Sequence, residues 1–432
     1  MLAIPPRLLP STAHASDRGM TVGGVPLLDL ADQYGTPLFV YDVAHVKERC
    51  RELAQAFGAE HVSYASKAFT CPAMVSVVAS EGIGIDVASA GELAVALRSG
   101  IAADRIVLHG NNKSQAELAR AMDLGVRAIV VDSHDELDRI ELLAASGHAV
   151  PAVMIRVTPG VSAGATSAIR TAEEDSKFGF SIRSGEAAAA VRRAIRSSAM
   201  RWLGVHAHLG SQIFDVEALR QGAALTAGFA VQHDAETLSL GGGVGVPYTA
   251  SMPAGPSVDA WAALLRAAAA EAGWHRPIEV EPGRLVAAQA GLTLYTVGTL
   301  KEVPGVRTYA AVDGGFADNL RPALYGASYE AFLPRSPGVP RDRSVRLVGK
   351  HCESGDVLIP DAAVPRDIQV GDVLAVPVTG AYGYSMASAY NLLGRPPVVF
   401  VEDGKAREVL RRETPDDWLT VHTNLAEPAT LG

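Results

Sequence analysis

The chain has 432 residues, 38 Lys plus Arg against 47 Asp plus Glu, a formal net charge of −9, and 48% hydrophobic residues. That acidic balance, with no basic cluster, argues against nucleic acid as the main partner. No apolar run approaches the ~20 residues that cross a bilayer, so no membrane partner is expected. The length allows two or three domains with a large core.

Met1–Gly19 carries prolines and polar residues rather than an apolar signal core, so no export is expected. Cys50, Cys71 and Cys352 lie far apart and form no CxxC pair. Neither a disulfide framework nor a metal site is expected, and a reducing cytoplasm fits. A strand-like piece, Leu38–Tyr41, precedes a helical stretch over Val46–Phe57.

Eight short apolar runs follow: Val62–Ser66, Gly84–Val87, Ile106–His109, Ala128–Val131, Val153–Val157, Gly204–Leu209, Thr237–Leu240 and Ile278–Glu281. The first four start 22 residues apart, at 62, 84, 106 and 128, which fits one strand, one helix of about three turns and two short loops. Helix-patterned stretches lie between the runs: Gly91–Arg98, Gln115–Leu124, Asp135–Ala145, Gly185–Arg196 and Val258–Ala272. Ser89 and Glu92 have capping-box spacing. Eight alternations predict an α/β fold with a (β/α)8 TIM-type barrel over residues 45–290, in preference to an open doubly wound sheet.

After Leu285 the pattern becomes strands joined by Pro/Gly-rich turns: Leu292–Leu300, Arg307–Val312, Val345–Lys350, Asp372–Val378, Val398–Val401 and Arg407–Arg411. Residues 291–432, joined by 1–44, are expected to form a second, mostly β domain of Greek-key-like barrel type.

Barrel active sites lie at the C-terminal strand ends. Here those ends gather Lys67, His109, His206, His208, the Gly241-Gly242-Gly243 run, Glu281 and Arg284 on one rim. Lysine is scarce, with seven in the chain. Taken alone, Lys67 reads as a snorkelling surface residue; at a barrel mouth it fits a Schiff-base nucleophile. Taken alone, the glycine run is a tight turn. After the seventh strand it fits a phosphate cradle of backbone N–H groups. Glu281 could simply pair with Arg284; opposite a pyridine ring it would keep the ring nitrogen protonated. His208 could stack on such a ring. Together these point to pyridoxal 5′-phosphate.

The motifs that carry these residues resemble the diaminopimelate decarboxylases, within the alanine racemase-like (fold type III) pyridoxal enzymes. They are Tyr64-Ala65-Ser66-Lys67-Ala68-Phe69, His109-Gly110-Asn111-Asn112-Lys113-Ser114, Asp175-Ser176-Lys177-Phe178-Gly179, His208-Leu209-Gly210-Ser211-Gln212-Ile213 and Glu281-Pro282-Gly283-Arg284. Asp313-Gly314-Gly315-Phe316, Arg321-Pro322-Ala323-Leu324-Tyr325-Gly326, Cys352-Glu353-Ser354-Gly355-Asp356 and Gly380-Ala381-Tyr382 continue the likeness, which runs from about Gly24 to Glu413. The resemblance implies a homodimer whose active sites are shared across the interface. It implies that Lys67 holds the cofactor, that His208 stacks on it, and that Ser211, Gly241, Gly242, Gly243, Gly283 and Arg284 hold its phosphate. Glu281 would face the ring nitrogen, and Tyr382 would touch cofactor and substrate. Arg284, Arg321 and Tyr325 would bind the substrate's distal carboxylate, and Glu353 its distal ammonium. Cys352 would reach the partner subunit's site and supply a proton.

Two arginines and a tyrosine make a sound carboxylate clamp, because guanidinium donors fork onto two oxygens. The clamp is what favours diaminopimelate over the main rival, a decarboxylase of the same fold acting on a basic amino acid, a carboxylated polyamine or a carrier-bound glutamyl group. A racemase would need a second acid/base on the opposite face. A non-catalytic pyridoxal-binding protein would not need the β domain. The chain departs from the family at Ala165-Thr166-Ser167-Ala168, where a Thr-His pair is common, and at Phe316, where methionine is common.

Overall fold

The computed structural model describes residues 2–161 and 175–423. The Ala165–Ala168 departure lies outside the described residues.

Eight strands form one parallel sheet, seven of them side by side in chain order: Ser63–Ala65, Gly84–Val87, Ile106–Leu108, Ala128–Val131, Ala152–Thr158, Arg201–His206 and Thr237–Ser239, with the short Phe180–Ser181 paired to Ala152–Thr158. Most are buried along their whole length, which is why they read as apolar runs rather than alternations. The expected eighth strand, Ile278–Glu281, forms no ladder. It touches both edge strands through single parallel bridges, Ser239 with Glu279 and Val62 with Val280. Pro277 and Pro282 bracket this run and have no N–H with which to lengthen the pairing.

Helices Pro72–Ser80, Ala90–Arg98, Gln115–Leu124, His134–Ala145, Glu186–Arg196, Val216–Gln232 and Val258–Glu271 connect or follow the strands. Their starts are written locally. Ser114 and Glu117 form a full capping box. Ser89 Oγ accepts from the Glu92 N–H, whereas the Glu92 carboxylate reaches back to the Ala88 N–H rather than that of Ser89. Two of these helices are not apparent in the sequence. Pro72–Ser80 is apolar and small on every side and shows no amphipathic period. Val216–Gln232 contains Gly222 and Gly228. Gly222 packs against the buried Leu209 side chain, which would have to shift to admit a Cβ there.

The second sheet is mixed. Its order is Val357–Val364, Arg343–Val348, Arg307–Val312, Gly291–Val303, Leu38–Asp42, Val398–Glu402, Lys405–Leu410, with Val373–Pro377 on Gly291–Val303. Leu38–Asp42 therefore belongs with the β region, antiparallel to Gly291–Val303 and parallel to Val398–Glu402. Among the described residues no ladder joins the two end strands of this path, and the region is mostly β as expected. Pro360 sits in the end strand Val357–Val364, where a missing donor costs least, and it hides that strand from pattern reading. Among the described residues no helix is long and apolar enough to cross a membrane.

Candidate active site

A cavity of about 700 Å³ opens at the C-terminal ends of the parallel strands. Lys67, His208, Ser211, Glu281, Arg284, Arg321, Tyr325 and Tyr382 all line it. Cys352 and Glu353 do not. Both are exposed, with the Cys352 N–H on Asn391 Oδ1 and the Glu353 carboxylate accepting from the Tyr390 hydroxyl. Gly241, Gly242, Gly243 and Gly283 are likewise absent from the lining. The triple-glycine turn is wedged between two strand ends. A Cβ on Gly241 would meet Ala207 O, one on Gly242 would meet Glu281 O, and one on Gly243 would meet Gly210 O. Close backbone approach is thus one demand for glycine here.

The floor of the cavity is a buried chain of acids and histidines. His206 Nε2 lies 2.8 Å from Glu281 Oε2, and Ser239 Oγ donates to Glu281 Oε1 at 2.8 Å. His109 Nε2 stands 3.5 Å from Glu281 Oε1 and 3.6 Å from Asp86 Oδ1. Burial would push the Glu281 carboxyl up, but His206 and His109 hold it well below the usual carboxylate range. Burial would lower His109, yet Glu281 and Asp86 push it up to about 9. Burial, reinforced by the Glu281 charge, pushes Asp86 up to about 7 against the pull of His109. His208 is driven well below its ordinary value by burial and by the nearby Lys67 and Arg156 charges, so its ring is neutral at pH 7. A neutral ring suits stacking, and the Gly242 N–H donates to its Nδ1 at 3.3 Å.

The upper wall is an alternation of tyrosines and arginines. Arg284 donates to Ser211 Oγ at 2.9 Å and to the Tyr248 hydroxyl at 2.5 Å, and its guanidinium stands 4.7 Å from the Tyr382 ring centre. Arg321, 6% exposed, lies 4.2 Å over the Tyr248 ring and donates to the Tyr329 hydroxyl at 2.5 Å. Among the described residues neither arginine has a carboxylate partner. Tyr382 enters the cavity from a left-handed backbone position, φ 60°, fixed by its N–H on Ala68 O at 2.8 Å.

These residues fit pyridoxal phosphate. Ser66 Oγ and His206 Nδ1 are buried on the floor with no hydrogen-bond partner, a sign of a polar ligand that completes them. Glu281, held ionised in the cavity that Lys67 also lines, is the right charge for a protonated ring nitrogen, and the cavity is the right size for cofactor and substrate together.

Residues 43–288 match the pyridoxal-dependent decarboxylase, pyridoxal binding domain family. The chain is 44% identical to the diaminopimelate decarboxylase of Mycobacterium tuberculosis over 98% of its own length and 99% of that protein's. The chain belongs to the diaminopimelate decarboxylase family. The Bacillus subtilis diaminopimelate decarboxylase is also 44% identical, over 95% of this chain and 96% of its own. The crystal structure of the M. jannaschii diaminopimelate decarboxylase in complex with L-lysine superposes with a TM-score of 0.89 at 30% identity, covering 99% of both chains. As a member of the diaminopimelate decarboxylase family, the chain is a pyridoxal-phosphate-dependent carboxy-lyase. Its α/β architecture, a parallel sheet with helices and a separate mostly β region, is that of the family.

Sequence reasoning assigned no role to Asp86, His109, Arg156, His206, Tyr248 and Tyr329. His109 and His206 sit at strand ends, the same signal that exposed Glu281. Asp86 in Gly84–Val87 and Arg156 in Ala152–Thr158 are lone charges inside apolar strands, a signal that was available. Nothing local marks Tyr248, which comes from an irregular Gly/Pro-containing loop.

Proposed function

We propose that the chain removes one carboxylate from meso-2,6-diaminopimelate, giving L-lysine and CO2. The observation that carries this reading is the pair of guanidiniums, Arg284 and Arg321, without a carboxylate partner among the described residues, on the cavity that also holds Lys67 and Glu281. A substrate with an amino-acid head at each end satisfies both halves of the site. Ornithine, arginine and lysine offer no second carboxylate once one end is committed to chemistry.

Pyridoxal phosphate, when bound, supplies an electron sink for the pair left by the departing carboxylate. Lys67, which lines the cavity, would hold the cofactor through its amine. Glu281 would keep a proton on the ring nitrogen, and His208 would stack on the ring. Ser211, the Gly241–Gly243 turn and the Gly283–Arg284 backbone take the phosphate. Arg284, Arg321 and Tyr325 take the distal carboxylate, Glu353 the distal ammonium, and Tyr382 orients both molecules. Cys352 hands its thiol proton to the carbon that has lost its carboxylate. Because Cys352 and Glu353 stand exposed outside their own chain's cavity, we assign them to the site of a second copy, in a homodimer with shared active sites.

In this reading Ile278–Glu281 closes the parallel sheet into a (β/α)8 barrel spanning residues 45–290, supported by its bridges to both edge strands. Residues 1–44 and 291–432 form the second domain. A biosynthetic enzyme of this kind works in the cytoplasm. The test is CO2 release by the pyridoxal-loaded protein from meso-diaminopimelate, ornithine, arginine and lysine, with L-lysine expected from the first alone. Turnover of another of the four would replace the substrate while leaving the cofactor chemistry in place.

A further inference from the structure

Two like charges, Arg284 and Arg321, share the wall of the cavity with no carboxylate partner among the described residues. An aspartate or glutamate there would relieve their repulsion and would also consume the clamp, because each guanidinium would already hold a carboxylate. The chain solves this with a neutral group. The Tyr248 ring presents its electron-rich face to Arg321 at 4.2 Å, and the Tyr248 hydroxyl accepts from Arg284 at 2.5 Å. Tyr248 is 1% exposed and Tyr329 3%, so the ring–cation contacts are shielded from water, where they are strongest. Tyr329 packs edge-on to Tyr248, with ring centres 5.2 Å apart at 85°, and its hydroxyl accepts from Arg321. The loop that delivers Tyr248 is pinned as well. The Gln212 side chain accepts from the Val246 N–H and donates to the Val246 carbonyl, both at 2.9 Å.

We infer that Tyr248 is a specificity-determining positioning residue: its ring and hydroxyl stand in for a counter-ion, holding Arg284 and Arg321 side by side while leaving both open to a carboxylate at the far end of the substrate. The inference rests on the clamp reading given above. It sharpens that reading, because selectivity for a two-headed substrate then depends on a residue with no charge of its own.

The experiment uses the pyridoxal-loaded enzyme and two competitive inhibitors of equal length. L-Lysine keeps a carboxylate for the clamp, and cadaverine, the same chain without one, does not. Tyr248→Leu removes both face and hydroxyl. It is expected to weaken L-lysine inhibition by roughly tenfold or more, to raise KM more than it lowers kcat, and to leave cadaverine inhibition in place. Tyr248→Phe keeps the face and the packing and removes only the acceptor, so its loss for L-lysine is smaller, roughly threefold. Equal weakening of both inhibitors would mean a merely structural role and would overturn the inference. So would unchanged L-lysine inhibition in Tyr248→Phe, which decides the matter alone should Tyr248→Leu not fold. Arg321→Ala separates the two layers. If it too leaves L-lysine and cadaverine undistinguished from wild type, the clamp reading fails. If it selectively weakens L-lysine while the Tyr248 variants do not, only the role of Tyr248 fails.

Discussion

Two buried charged clusters lie within one sheet's reach of each other and are built to opposite specifications. Lys113, 3% exposed, sends its ammonium to Gly110 O at 2.7 Å, to Val130 O at 2.6 Å and to Glu136 Oε1 at 2.5 Å. Glu136, 1% exposed, uses its other oxygen on the Asp132 N–H. Three donors meet three acceptors, and nothing is left over. The cavity floor is less deeply buried, with His109 and Glu281 only half-buried, its His109 contacts to Asp86 and Glu281 are long at 3.6 and 3.5 Å, and His206 Nδ1 has no hydrogen-bond partner. A closed network holds a fold together; an open one is completed by something else. Lys113 is thus a fastener for the loop after strand Ile106–Leu108, and the unpaired His206 nitrogen lies at the cavity, where a ligand can complete it.

The contrast can be broken from either side. The largest effect is expected in the closed network: Lys113→Met strands a buried carboxylate and should cost about 3–5 kcal/mol of stability in urea unfolding, while the folded fraction keeps its kcat. In the open network Glu281→Gln keeps the shape and removes the charge. It should lower kcat by roughly 10²–10³-fold with little change in unfolding. Similar stability losses in both variants would erase the distinction. A pH series on the apoprotein comes next. Against burial, Glu281 and Asp86 push His109 up to about 9. The stabilisation this gives is fully present below the unfolded value of ~6.5 and is lost as the pH rises through the folded one, so the wild type should weaken between these limits. His109→Asn should flatten that slope; an unchanged slope would assign it elsewhere. The smallest effect is expected from His206→Asn, which removes one donor from Glu281. Titration of the apoprotein with pyridoxal phosphate, followed by absorbance, should show about tenfold weaker binding.

The parts of the molecule legible in the sequence are those where one physical demand dominates. Strands buried on both faces announce themselves as apolar runs, so Gly84–Val87 and Ala128–Val131 match their expected bounds residue for residue. Glu281 stood out because an acid ending such a run needs a reason. Asp86 and Arg156 carry the same message from inside their strands, where the apolar neighbours drown it. Val216–Gln232 was hidden because Gly222, a helix breaker by propensity, sits in its middle, packed against the Leu209 side chain. Tyr248 was out of reach altogether, since its role depends on two arginines 36 and 73 positions further along, which only the folded chain brings to its ring. The exposure of Cys352 and Glu353 is of the same kind, for no sequence pattern says which side of a cavity wall a loop will face.

That exposure carries a consequence for how the enzyme behaves as a population. In the reading proposed here, one chain holds a whole cofactor pocket and only part of a reaction site. Dilution should therefore separate two properties that usually travel together. The cofactor's absorbance, set within each subunit, would fall in simple proportion to concentration. The rate would fall faster, towards the square of concentration, once subunits spend most of their time apart.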